Sequence, residues 1–260
     1  MNNFSFKRTG QLIQKQWVEN RRLYGMSVLA LLGALGIVMA IWLASSGNHY
    51  REDNLYVIGL VVLFITGAIF ASTSFNMLNA KDTGIYWITF PASHFEKLLV
   101  TLFFNIVVFT LVYAACFFVL KFLVEIYIQT NQYGYEKIDW ARVLKPGPNV
   151  SYFLFAFFAL QAAFILGSAS FKRFSFIITL IIIAAALFLT IFYLVKLSKG
   201  MIPQGYYFDL TNVRSNGVDG VYKEYEMNSF LRNFIEVFLK YLFAPFLWLI
   251  TWYKLREKEI

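Results

Sequence analysis

The sequence predicts an all-α integral membrane protein: six transmembrane helices with both termini on the inner side, an amphipathic helix before the first span, and a short interfacial helix between the second and third. Three observations predict it. Hydrophobic residues make up 59% of the 260 positions and charged residues 15%, too apolar a balance for a soluble domain of this length. Six apolar stretches recur, Met26–Ser45, Leu55–Phe75, Leu98–Leu120, Val150–Phe171, Phe174–Val195 and Phe230–Tyr253. A bilayer core of about 30 Å needs about 20 helical residues, and the first five stretches reach that length with no charged side chain inside. Finally, the longest gap between them, Lys196–Ser229, holds 34 residues, which leaves no room for a soluble catalytic domain. Residues 1–260 therefore read as one transmembrane domain.

Charge sets the orientation. With the N-terminus inside, the inner segments carry twelve basic residues against five acidic ones, net +7, and the outer segments nine against eight, net +1. Lys and Arg accumulate on the cytoplasmic flank of spans, and Arg21-Arg22 and Lys172-Arg173 carry most of that contrast. The overall +8 thus needs no nucleic-acid partner to explain it. A cleaved leader is not expected, because a long polar segment precedes a first apolar run that is itself able to span. The lone Cys116 excludes a disulfide framework within the chain.

Residues 3–24 form the amphipathic helix. At 100° per residue Phe6, Ile13, Trp17 and Tyr24 share a narrow stripe and Arg8, Lys15 and Arg22 lie opposite, a pattern suited to resting on the membrane surface; an ordinary basic flank is the alternative. The second span ends in the small, hydroxylic Ala71-Ser-Thr-Ser-Phe-Asn76, suited to close helix packing. Between spans two and three, Asp82-Thr83-Gly84 supplies turn chemistry, Ile85-Tyr86-Trp87-Ile88 a short amphipathic piece, and Pro91 a stop. Ser93-His-Phe-Glu96 has the spacing of a capping box that starts the third span. The apolar run of that span continues to Ile128, interrupted by Lys121 and Glu125 at i,i+4.

Spans four and five are joined by only Lys172 and Arg173, a tight hairpin, and span five reads as lipid-facing. Asn105 in span three and Gln161 in span four are isolated amides. Bridging helices is their expected use, and lining a path for a transported molecule is the alternative. The outer segment 196–229 is expected to form a small ordered cap. The last span begins with Arg232, Glu236 and Lys240 on one face, read as an outer amphipathic helix entering the membrane near Lys240, with a kink at Pro245.

Several chemistries have no residues to carry them. No Gly-x-x-x-x-Gly-Lys-Ser/Thr loop is present for a nucleotide, no His-Glu-x-x-His, and no carboxylate pair at membrane depth for a metal or a proton relay. No catalytic, cofactor-binding or metal site is expected, so the chain is not read as an enzyme. What remains is a transport subunit energised by another protein, or a scaffold.

The stretch Gly84-Ile-Tyr-Trp-Ile-Thr-Phe-Pro-Ala-Ser-His-Phe-Glu-Lys97 is similar to a Leu-Pro-Ala-Ser-x-x-Glu-Lys signature of the membrane subunits of type-2 ATP-binding-cassette (ABC) exporters, in the compact form common in Bacteroidetes; Phe90 stands where the signature has Leu. With six spans, an N-terminal amphipathic helix and an interfacial segment, the chain resembles such a permease over essentially its whole length. The resemblance implies a bacterial cytoplasmic (inner) membrane, a separate ABC-type ATPase subunit, and a second permease, identical or paralogous. It implies an elbow helix over residues 1–25 and a coupling helix with ATPase-coupling residues Lys81, Asp82, Gly84, Ile85, Tyr86 and Trp87. Pro91, Ser93 and Glu96 would join that helix to the third span, and Arg232, Glu236 and Lys240 would belong to the outer gate. Phe-rich spans without buried charge fit an amphipathic or lipid-like cargo. The alternative is a non-transporting scaffold or assembly subunit of a cell-envelope complex.

Overall fold

Six helices long and apolar enough to cross a membrane make up the computed structural model, which describes residues 5–47, 49–76, 92–138, 149–201, 206–208, 212–216, 222–226 and 229–257. Helix α1 is Phe6–Ser45 and α2 is Glu52–Thr73. Helix α3 runs as His94–Leu102, a π-helical stretch Phe103–Val108, and Phe109–Thr130. Helices α4 and α5 are Asn149–Ser170 and Ser175–Met201. Helix α6 runs as Ser229–Val237, a π-helical stretch Phe238–Leu242, and Phe243–Glu257.

The expected spans are all present, with three differences of extent. The first is that the amphipathic segment is helical but is not a separate helix: α1 continues through Gly25 for 40 residues, about 60 Å at 1.5 Å per residue. Nothing interrupts the backbone ladder there, neither a proline nor a competing cap. Between the Ser5–Glu96 hydrogen bond and the Tyr24–Phe104 ring stack, however, α1 advances from residue 5 to 24 while α3 advances only from 96 to 104. The N-terminal half of α1 therefore crosses α3 obliquely, as a surface-lying segment would. Of its apolar stripe, Phe6 is 84% and Trp17 52% exposed, rings that suit the boundary of a lipid phase, whereas Tyr24 turns inward onto Phe104.

The second is in α3, which exceeds the apolar stretch Leu98–Leu120 at both ends: it begins at His94, where the Ser93 cap places it, and runs to Thr130, just past the expected Ile128, so the whole helix of 37 residues exceeds the hydrocarbon thickness. The third is in α6. Pro245 lacks an N–H and crowds the carbonyl four residues earlier; the disturbance expected at Pro245 is taken up one turn earlier, where Phe238–Leu242 widens into π geometry.

Two short sheets lie outside the spans. His49–Arg51 (β1) pairs in parallel with Gly134–Glu136 (β2), tying the α1–α2 link to the end of α3. Tyr206–Phe208 (β3), Asn212–Asn216 (β4) and Tyr222–Glu226 (β5) form an antiparallel sheet in the order β3-β4-β5. This is the ordered element expected for 196–229.

Helix α4 is the centre of the bundle, packing on α2, α5 and α6, while α1 packs mainly on α3. Two buried clusters result. One, at the end bearing the chain termini, joins Ala68, Ala71, Phe75, Leu98, Phe164, Ile165, Ala169 and Leu255. The other, toward the far end, joins Leu35, Met39, Trp42, Tyr50, Leu55, Tyr113, Phe117 and Ile128 among others. Helix α5 presents Ile181, Ile182, Leu187 and Phe188 outward, as expected of a lipid-facing span.

Small residues let backbones approach. In the α4–α5 hairpin, a methyl on Gly167 would overlap the hydroxyl of Thr179, itself held by donation to the Ser175 carbonyl at 2.7 Å. Gly167→Ala should therefore destabilise the hairpin by about 1–3 kcal/mol despite the better helix propensity of alanine. Adding Thr179→Ala should recover most of that loss, read from melting curves in detergent; no recovery would mean the overlap is not the cause.

Candidate functional site

Three polar constellations and one cavity stand out in the apolar bundle. The first begins with a local motif. Ser93 caps α3, its Oγ accepting from the Glu96 N–H at 3.2 Å while Glu96 Oε2 accepts from the Ser93 N–H at 2.9 Å. This is the capping box that the spacing predicts. Glu96 does more than cap, because its Oε1 also accepts from the Ser5 N–H at 2.8 Å and lies 3.4 Å from Arg8 Nη2. Its side chain is fully buried. One carboxylate thus sits at the N-termini of both α1 and α3, where orphan N–H groups and two helix dipoles favour negative charge.

A second constellation centres on Asn105 in the π-helical stretch of α3. Its Nδ2 donates to Ser74 Oγ and to the Thr101 carbonyl, each at 2.8 Å. Gln161 Nε2 of α4 donates to the Asn105 backbone carbonyl at 3.2 Å. The two amides therefore bridge α2, α3 and α4, the use expected of them. Ser175 adds a neighbouring tie, its hydroxyl donating to the Ser72 carbonyl at 3.1 Å.

The third lies at the far end, and only its i,i+4 pair is legible in the sequence. Lys121 of α3 meets Glu52 of α2 at 2.5 Å, Glu125 at 3.3 Å and the Tyr56 hydroxyl at 2.9 Å. Glu52 Oε2 accepts from the Ile138 N–H at 2.9 Å, and the Tyr135 hydroxyl donates to Glu125 at 3.1 Å. Burial, then the Glu52 and Glu125 carboxylates, hold the Tyr135 phenol above its ordinary value, so it stays a neutral donor past about pH 10. Lys121 and Glu125 were visible as an i,i+4 pair; Glu52, 69 residues away in sequence, was not.

Of the proposed gate residues, Glu236 pairs with Lys240 on α6. The Lys240 ammonium sits 4.2 Å from the Tyr152 ring centroid, and the Tyr152 hydroxyl donates to Glu236 at 3.2 Å. The pair thus docks α6 on the start of α4, the charges compensating each other as base and acid at that spacing can. The Arg232 side chain lies outside the described residues, as do Lys81, Asp82, Gly84, Ile85, Tyr86, Trp87 and Pro91. Among the described residues no group of three or more His, Cys, Asp or Glu is placed to hold a metal ion.

The cavity, about 700 Å³, lies between α1, α2 and α3. Helix α1 is held at one end by Glu96 and at the other by buried Leu35, Met39 and Trp42; between these the cavity follows one face of α1 from Leu12 to Ala34. Asn105 lines it and Gln161 does not. Comparison with protein-family models, curated proteins and solved structures finds no match for the chain.

Proposed function

We propose that this chain is the membrane-spanning permease subunit of an ABC exporter, moving an amphipathic or lipid-like molecule when a separate ATPase subunit drives it. The observation that carries the reading is the Glu96 tie. Segment 77–91, within which the resemblance puts the coupling helix at about Lys81–Ile88, leads in sequence into the Ser93 cap. The carboxylate that completes this cap also holds the start of α1. A push delivered to 77–91 by a partner therefore moves two helices together, and both border the 700 Å³ cavity. Ser93, Glu96 and Lys97 of the Pro-Ala-Ser-x-x-Glu-Lys stretch acquire physical roles in this reading: cap, tie and cavity wall.

The test is a mild-detergent pull-down of the tagged chain from its native membrane, with identification of stoichiometric partners. A partner bearing the phosphate loop this chain lacks supports transport, and a stoichiometric envelope assembly without an ATPase supports the scaffold reading instead. In the complex, Tyr86→Ala with Trp87→Ala should abolish transport-stimulated ATP hydrolysis by removing aromatic anchors, while membrane insertion is unchanged. Full stimulation in that variant would remove the coupling assignment.

A further inference from the structure

The link between α4 and α5 is four residues, Phe171–Phe174. A link this short keeps its side chains within about one helical turn, about 5 Å, of the two span ends. Lys172 and Arg173 therefore sit at headgroup depth, whichever way the six spans thread the bilayer. The tip is also fixed to the bundle. The Ser175 hydroxyl donates to the Ser72 carbonyl at 3.1 Å, Phe176 stacks on Phe164 with centroids 5.3 Å apart, and Thr179 lies against Gly167.

Phe174 differs from its neighbours. Its φ of 53° is in the left-handed region, unfavourable for a residue with a bulky side chain. Its ring is 74% exposed, while Phe176 turns inward. Ile177, Ile181 and Phe188 follow it at helical spacing and are exposed as well. An apolar track thus runs from the tip down the lipid-facing side of α5. An exposed ring at the end of a span is stabilised where it meets acyl chains and not water.

The two cations beside this ring are free. Arg8, Lys15 and Lys254 each face a carboxylate, at 3.4, 3.9 and 2.6 Å. Among the described residues Lys172 and Arg173 have no ion-pair or side-chain hydrogen-bond partner, and both are exposed. Their charge is available to a ligand outside the chain. Guanidinium and ammonium groups bind phosphate, and a phosphate at this depth is that of a phospholipid.

We propose that the α4–α5 tip binds an anionic phospholipid, its headgroup phosphate between Lys172 and Arg173 and its acyl chains along Phe174, Ile177 and Ile181. A soluble partner is the less suited occupant, because a four-residue tip at headgroup depth does not project from the membrane. The proposal rests on the six spans and not on the transport reading. It is therefore tested on the purified full-length chain without any ATPase.

The chain is placed in phosphatidylcholine nanodiscs with a trace of photoreactive lipid. The probe is phosphatidylglycerol or phosphatidylcholine, each carrying the same diazirine on its acyl chain. One cation near an anionic surface is worth about fivefold, and two about thirtyfold. Labelling of residues 174–181 by the phosphatidylglycerol probe should exceed labelling by the phosphatidylcholine probe by about this factor. Lys172→Gln with Arg173→Gln should bring the two probes level there. The melting temperature should not change, since both side chains are exposed and unpaired. Arg21→Gln with Arg22→Gln, the same loss of charge on α1, should leave the preference at 174–181 in place. Phe174→Gly should lower phosphatidylglycerol labelling at 177–181 several-fold while the fold is kept, because glycine adopts positive φ freely; full labelling in that variant overturns the proposal. Equal labelling by both probes in the wild type, the result expected if the cations serve a soluble partner, also overturns it. So does a preference that survives the loss of Lys172 and Arg173, or one lost equally in the α1 variant, the sign of general attraction between anionic lipid and a basic chain.

Discussion

Replacing Glu96 by Ala should lower stability by about 3 kcal/mol and release the start of α1. The carboxylate is fully buried and serves the Ser93 N–H, the Ser5 N–H and Arg8 together. Losing a cap costs about 0.5–2 kcal/mol, and removing one member of a buried ion pair about 3–5 kcal/mol. Arg8 is one-third exposed, so solvent screens the ion pair below its fully buried value, and about 3 kcal/mol remains for the two effects together. Thermal unfolding in detergent should show a fall of roughly 5–10 °C, and limited proteolysis should cut earlier within the first turns of α1. Glu96→Gln keeps the size and one acceptor but loses the charge, so it should fall between. Wild-type melting and proteolysis in Glu96→Ala would mean that the tie does not hold α1, and with it would go the argument that 77–91 moves two helices.

The second large effect is expected at the far end. Lys121→Met leaves Glu52, 5% exposed, with the Ile138 N–H as its remaining hydrogen-bond donor in the cluster. An uncompensated buried carboxylate should cost about 3 kcal/mol. Glu52→Leu should cost less, because Lys121 keeps Glu125 and the Tyr56 hydroxyl. The double variant Glu52→Leu/Lys121→Met should recover most of the loss, since an apolar pair needs no compensation. A double-mutant cycle on detergent melting curves measures the coupling. Additive losses would mean that the two groups act independently and that the 2.5 Å contact contributes nothing of its own.

The parts of this protein that were legible in advance are those written within one turn or one span of sequence. Six apolar runs of membrane length predict six helices, because the bilayer imposes a length and requires every backbone polar group to be satisfied within its own segment. Ser93 and Glu96 predict a capping box because both members lie in the first turn of α3. Pro245 predicts a disturbance because proline removes one specific hydrogen bond. Asn105 and Gln161 were recognisable as polar residues in apolar spans, yet their assignment between bridging and path-lining needed the packing. Both bridge helices, and of the two only Asn105 reaches the cavity.

What only the tertiary structure decided has no local signature. Glu96 reaches Ser5 across 91 positions and Lys121 reaches Glu52 across 69, and a carboxylate capping its own helix looks the same in sequence whether or not a second helix shares it. The continuity of α1 through Gly25 was equally hidden, since an amphipathic surface helix followed by a span reads alike bent or unbroken. The cavity exists because α1 is held at both ends and crosses α3 obliquely between them, a consequence of which contacts form, not of any residue's own preference. The apolar pattern alone determined that this chain crosses a membrane six times; where its few charges and amides meet, and the space left between them, was decided by how the helices pack.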